Sequence, residues 1–162
     1  MRKVLISSPI ALICLVLLSA TISCSNEHKT IYHEYQSVAG KGWQKKDTLK
    51  FQLLPSDSAR VVALTAEVRN TLQYPYADFY LVVKQNIADS IHWQTDTVRF
   101  VLADNFGRWK GTGGGNYYQS SVYVRTLKLP PHPKHVVIRV SQGMKDVLLK
   151  GITDVGFRLE YR

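Results

Sequence analysis

The chain has 162 residues, of which 45% are hydrophobic, and 21 Lys and Arg against 12 Asp and Glu give it a formal net charge of +9. That length suits one domain, large enough to bury a core without disulfide or metal staples. The cations are scattered, with Lys45-Lys46 the only adjacent pair beyond the first residues. A nucleic-acid partner is therefore not expected, and the charge reads as a solvated surface, with attraction to anionic lipid heads or acidic glycans as the alternative.

Arg2 and Lys3 precede a stretch from Val4 to Leu18 that is apolar except for Ser7, Ser8 and Pro9. Its uninterrupted part, residues 10–18, is well short of the roughly 18 residues that read as a membrane span, so residues 1–23 are expected to be a cleaved signal peptide. Cys14 lies inside the apolar run, whereas Cys24 follows Thr21, Ile22 and Ser23. The latter resembles the lipobox of bacterial lipoproteins, with Thr21 where that motif usually carries Leu, and Cys24 is the expected lipid attachment site. The alternative is an ordinary secreted protein cut near the same place, with Cys24 a free thiol. Cleavage leaves 139 residues, a formal charge of +7 and one cysteine, so no internal disulfide is possible. Thioether linkage to diacylglycerol also removes a thiol that would be a liability in an oxidising compartment. Residues 24–30 are expected to be a lipidated tether and residues 31–162 a single domain.

Within that domain, Leu49, Phe51 and Leu53 alternate with Lys50 and Gln52, and Val62, Leu64, Ala66 and Val68 alternate with Ala63, Thr65, Glu67 and Arg69. Such a period of two marks strands with one buried face. It recurs over residues 79–83, 98–102, 122–129, 136–140 and 155–161, in runs rich in Val, Thr, Tyr and Trp. Turn signals stand between them at residues 55–57, 74–76, 105–107, 111–116 and 130–133. Over residues 142–150 the period changes, with Met144, Val147 and Leu148 spaced as on one face of a helix that Gly151 would end. The expected fold is an antiparallel β-sandwich or jelly roll with one short helix before the last strand and Met144 in its core.

Residue types that carry chemistry form no recognisable site. Residues 111–116 lack the Lys-Ser/Thr of a phosphate-binding loop, and a left-handed or flexible turn is expected there instead. His28, His33, His92, His132 and His135 do not have zinc-ligand spacing, and no calcium loop or G-x-S-x-G elbow is present. Asp96, Asp104 and Asp154 sit at expected strand ends, where capping is the commoner role. No enzyme activity, metal or cofactor is expected. Seven aromatics at or near turns, Trp43, Tyr74, Tyr76, Trp93, Trp109, Tyr117 and Tyr118, are the candidate contacts for a protein partner or a glycan; otherwise they close the ends of the core. Within residues 105–118, Trp109 is expected to plug the sandwich and Tyr117 to face the partner.

Several segments together resemble one family. They are Trp43 with residues 47–51, Arg69-Asn70-Thr71 with Tyr74-Pro75-Tyr76, residues 96–98, residues 102–113, Gln142-Gly143-Met144, and residues 149–156. The G-x-W-x-G-x-G stretch from Gly107 to Gly113 and the closing G-I-x-D-V-G from Gly151 to Gly156 are the most specific. The chain resembles the GldH gliding-motility lipoproteins of the Bacteroidetes. The resemblance implies an envelope lipoprotein associated with gliding and, in related proteins, with the type 9 secretion machinery, and it implies no catalytic residues. The resulting expectation is a non-enzymatic outer-membrane lipoprotein that braces or assembles an envelope complex. Its alternative is a lipid-anchored carbohydrate-binding β-sandwich. Residues 25–29 carry one acid, Glu27, which points to the periplasmic face of that membrane.

Overall fold

The computed structural model describes residues 30–38, 40–53, 61–129 and 136–162. The expected signal peptide, Cys24, the tether up to residue 29, His28, His132, His135 and the turns at 55–57 and 130–133 lie outside the described residues.

The described chain is all β. Its strands are β1 (Thr30–Ser37), β2 (Trp43–Gln44), β3 (Leu49–Leu53), β4 (Val61–Thr71), β5 (Asp78–Gln85), β6 (Gln94–Val101), β7 (Thr112–Gly114), β8 (Tyr117–Lys128), β9 (Val136–Gln142), β10 (Leu148–Leu149) and β11 (Ile152–Tyr161). A five-stranded antiparallel sheet, ordered β1-β11-β4-β8-β7, packs on a four-stranded one, ordered β3-β9-β5-β6, and β2 and β10 form a small ribbon. The alternation seen in the sequence decides which faces meet. Val62, Leu64, Ala66 and Val68 of β4 and Val155, Phe157 and Leu159 of β11 point inward. Opposite them are Phe51 and Leu53, Phe79, Leu81 and Val83, Phe100, and Ile138 and Val140. Phe51 meets Phe157 edge-on at 5.0 Å, which locks the two sheets together.

The two ends of the sandwich differ. At one end the register joins Thr30 to Glu160 and Val61 to Lys128, and Gln85 pairs with Gln94 across the loop of residues 86–93. This is where the chain enters from the expected tether, and it is called the near end below. At the far end Ser37 pairs with Asp154, Thr71 with Tyr117 and Asp78 with Val101. The β2–β10 ribbon and the turns that follow β4 and β6 close that end, with Trp43 6.2 Å from Phe79.

Two sequence expectations fail here for local reasons. Residues 142–150 form no helix. Gln142 extends β9, its Oε1 accepts the Met144 N–H at 2.8 Å and its Nε2 donates to the Asp146 carbonyl at 2.6 Å, so the side chain takes over groups a helix would need. Gly143 N–H continues the ladder to Tyr80 O, and Leu148 and Leu149 pair with Gln44 and Trp43. The supposed apolar face is not buried as one. Val147 is 74% and Leu148 36% exposed, whereas Met144 packs part-buried against the core. Residues 111–116, expected as a left-handed or flexible turn, contain β7 and a two-residue turn into β8, with Gly113 and Gly115 at positive φ. β1 escapes the sequence reading because it is an edge strand whose two faces, Tyr32-Glu34-Gln36 and His33-Tyr35-Ser37, are both polar or aromatic.

Candidate functional site

The outer face of the five-stranded sheet is built by strand register. One row of paired residues crosses all five strands: Ser37, Asp154, Arg69, Gln119 and Thr112. The neighbouring row is Tyr35, Gly156, Glu67 and Ser121. Gly156 leaves the gap into which the Tyr35 ring folds, since a Cβ there would lie 2.7 Å from ring carbons of Tyr35. That space lets the Tyr35 hydroxyl cross β11 and hydrogen-bond Glu67 Oε2.

Glu67 is the hub of this face. It points away from the core yet is only 3% exposed, covered by its own partners. His33 Nε2 lies 2.9 Å from Oε2, and Arg158 Nε donates to Oε1 at 3.1 Å while its Nη1 reaches Glu160 at 2.9 Å. Burial alone would push the Glu67 carboxyl up. The hydrogen bonds from Tyr35 and His33, with the charge of Arg158, more than offset it and hold the group below its ordinary value. For Tyr35, burial and the bond to Glu67 push the hydroxyl well above the usual phenol range. With both carboxylate oxygens engaged and the residue 3% exposed, Glu67 ties β1, β4 and β11 together and is closed off from a substrate.

Beside this hub, the Arg69 guanidinium stacks 3.7 Å from the centre of the Tyr35 ring and 5.8 Å from that of Tyr117. Its Nε donates to Gln119 Oε1 at 3.1 Å, which leaves the rest of its fork turned outward. Ser37 donates to Asp154 at 2.8 Å. From this row the surface runs into a cleft of about 820 Å³ at the far end, lined by polar and apolar groups alike, among them Ser37, Lys41, Thr71, Leu72, Lys150 and Asp154. The arrangement presents a cation, an amide, hydroxyls and one open ring to a polar partner. Among the described residues no group of three His, Cys, Asp or Glu is placed to hold a metal ion, and no helix is long and apolar enough to cross a membrane.

The seven aromatics singled out in the sequence separate into four settings. Trp43 and Tyr74 are 1% and 3% exposed and belong to the core, so neither can touch a partner of the folded protein. Trp43 donates to Asp47 O and Tyr74 to Asp78 O, bonds that hold the far-end turns in place. Trp109 and Tyr118 stack on each other at 5.6 Å and are part-buried, with Trp109 against the core. Tyr117 and Tyr76 are 40% and 41% exposed at the far end, Tyr117 on the outer face and Tyr76 beside a smaller apolar cleft with Tyr80 and Met144. Trp93 is 43% exposed at the near end, with the Arg139 guanidinium over its ring. Tyr35, Glu67, Arg69 and Gln119, which make the face, were not singled out as candidates. Glu67 lies 34, 32 and 91 residues from its three partners, and nothing in the local pattern marks it. The one available sign is that Arg69 and Asp154–Gly156 fall within the segments that carry the family resemblance.

Comparison with known proteins agrees with those segments. The family model described as GldH lipoprotein matches residues 30–159, from the first residue of β1 into β11. The gliding motility lipoprotein GldH of Flavobacterium johnsoniae is 29% identical over 153 residues, covering 91% of this chain and 95% of that protein. A GldH homolog of Christiangramia forsetii is 31% identical over 144 residues, covering 84% and 86%. Among solved structures, a chain titled Family 16 Carbohydrate Binding Module-2 aligns over 78% of this chain with 7% identity and a TM-score of 0.31, too slight a likeness to bear on fold or ligand. On the family match over most of its length, the chain belongs to the GldH lipoprotein family.

Proposed function

We propose that this protein is a non-enzymatic lipoprotein of the outer membrane, anchored through Cys24, that braces or assembles a gliding-motility complex associated with type 9 secretion. Family membership supports the motility setting, and the named relatives are gliding motility lipoproteins. The observation that carries the bracing role is the outer face of the five-stranded sheet. Its one buried carboxylate is engaged in holding strands together, while Arg69, Gln119 and the open ring of Tyr117 remain outward beside the large far-end cleft. A face of that kind suits docking better than turnover.

Position supports the same reading. Thr30 starts at the near end, six residues after Cys24, so the tether cannot exceed about 20 Å. The far end stands a further strand length away, roughly 35 Å for the eleven residues of β4. Tyr117 and Tyr76 are thus held at the end remote from the anchor, on the periplasmic side in this proposal. A glycan is the alternative occupant, favoured by the size of the cleft and its mixture of polar and apolar groups.

The test is recovery of partners from solubilised membranes with the tagged full-length protein. Partners that co-purify with the wild type and are lost with Tyr117→Ala or Tyr76→Ala support the docking role. Unchanged recovery together with saturable sugar binding on a glycan array would replace it with the carbohydrate-binding reading.

A further inference from the structure

The sequence shows no cationic patch, but strand register builds one on the opposite side of the molecule. Lys50 of β3 pairs with Arg139 of β9, and Arg139 pairs with Lys84 of β5. All three are exposed on the outer face of the four-stranded sheet. Neighbouring strands lie about 4.8 Å apart, so three positive charges stand in a line of roughly 10 Å. Like charges directly opposite on a sheet oppose folding, and sheets ordinarily alternate sign there. Among the described residues none of the three meets an acid. Arg139 instead lies 4.8 Å from the centre of the Trp93 ring.

Acids elsewhere on this face and in the adjoining loop are already engaged. Asp78 on the same face is held by both Nε and Nη2 of Arg99. Asp89, in the loop beyond β5, bonds the His92 ring and accepts the backbone N–H groups of Ile91 and His92, which together hold its carboxyl down at about 2. The same loop leaves Ile91 73% and Trp93 43% exposed. A line of unpaired cations bordered by an exposed aliphatic side chain and an indole combines charge for headgroup phosphates with amphipathic anchors for the interfacial region.

The row also lies on the anchored side of the fold. At one end of the row Lys84 is next to Gln85, which pairs with Gln94 at the near end, and the loop of Ile91 and Trp93 is at that same end; at the other, Lys50 lies beside β1, the strand the tether enters, and accepts at its carbonyl from Gln36 Nε2 at 2.8 Å. We infer that Lys50, Arg139 and Lys84, with Trp93 and Ile91, form a docking surface for an anionic lipid bilayer, so that the tethered domain leans on its four-stranded sheet and turns the Arg69–Tyr117 face away from the membrane. The inference rests on the reading of Cys24 as the anchor for its geometry, though the charge row itself does not.

The experiment uses the full protein purified from membranes and reconstituted into vesicles of phosphatidylcholine alone or with phosphatidylglycerol, doped with a brominated lipid that quenches tryptophan. The Trp93 contribution is the difference between wild type and Trp93→Phe, since Trp43 and Trp109 emit in both. Trp93 should be quenched in the anionic vesicles, much less in the neutral ones, and released by molar salt. Lys50→Gln, Lys84→Gln and Arg139→Gln combined should weaken the docked state by about a hundredfold and abolish the difference between vesicle types, with the melting temperature unchanged or raised. Equal Trp93 emission in both vesicle types overturns the inference, and would leave the row to an acidic macromolecule. Acyl chains on Cys24 are read separately by mass spectrometry. If they are absent, co-sedimentation of the unanchored protein with anionic but not neutral vesicles still upholds the surface, and failure to co-sediment rejects it.

Discussion

Glu67 illustrates how a residue outside the apolar core can still be structural. Its strand position is solvent-facing by period, yet Tyr35, His33 and Arg158 seal it, and a charge so enclosed is tolerated only when its lone pairs are filled. Because the folded carboxyl sits below its ordinary 4.5, the unfolded chain takes up that proton first as pH falls. The stability it contributes is therefore complete above the ordinary value and lost as pH drops through the lower, folded one. Glu67→Gln should cost about 1–3 kcal/mol at neutral pH. In denaturant titrations the gap between variant and wild type should close in acid; a gap that persists unchanged to pH 2 would show that the charge is not what matters. Gly151 makes a second residue-scale case. Its φ is +83°, and a Cβ would meet the Tyr74 backbone nitrogen at 2.2 Å, an atom that cannot step aside. Gly151→Ala should lower stability by several kcal/mol, combining about 1–3 for the left-handed backbone with a similar amount for the overlap. A near-native urea midpoint would contradict this.

Elements whose burial is one-sided were legible in the sequence. The runs around Phe51, Leu64, Leu81, Phe100, Ile138 and Phe157 alternate because one face of each meets the opposite sheet, and each became a strand. Elements without an alternating apolar run were not. β1 has no apolar face, β2 and β10 are two residues long, and β7 is Thr-Gly-Gly. The supposed helix failed because spacing cannot reveal that the Gln142 side chain would bind the next turn's backbone. The stretch before β8 lies between these extremes. Asp104 Oδ1 accepts the N–H groups of Phe106 and Arg108 and so fixes a tight turn, after which Ala103 bridges Trp109. Trp109 then closes the side of the core while its successor Tyr117 turns out to solvent. Truncating Trp109 to Ala should cost about 2–3 kcal/mol, less than a fully buried ring would. Tyr117→Ala should change stability by under about 0.5 kcal/mol and act on partner recovery instead. The reverse pattern in paired melting and pull-down measurements would exchange their roles.

At the scale of the whole molecule, register brings together groups that the sequence keeps apart, and it does so differently on the two outer faces. One gathers Arg69, Gln119, Asp154 and Tyr117; the other aligns Lys50, Arg139 and Lys84. Neither is visible as a run of like residues, which is why the basic charge read as a scattered surface. In the proposed arrangement both faces depend for their orientation on a single covalent point, Cys24. If Cys24 carries the acyl chains, each buried CH₂ contributes about 0.8 kcal/mol to membrane affinity, so several chains on one residue outweigh the charge row by a wide margin. Cys24→Ser should then remove fatty-acid labelling and shift the protein out of detergent-extractable outer membrane, while three surface cations alone hold it only weakly and in a salt-dependent way. Fractionation at low and high ionic strength separates the two contributions. Wild type should stay with the membrane at both, and the variant should be retained partly at low salt and released at high salt. A variant that remains membrane-bound in molar salt, alongside a wild type that incorporates no labelled fatty acid, would mean that the anchor lies elsewhere and that Cys24 is not the lipid-bearing residue.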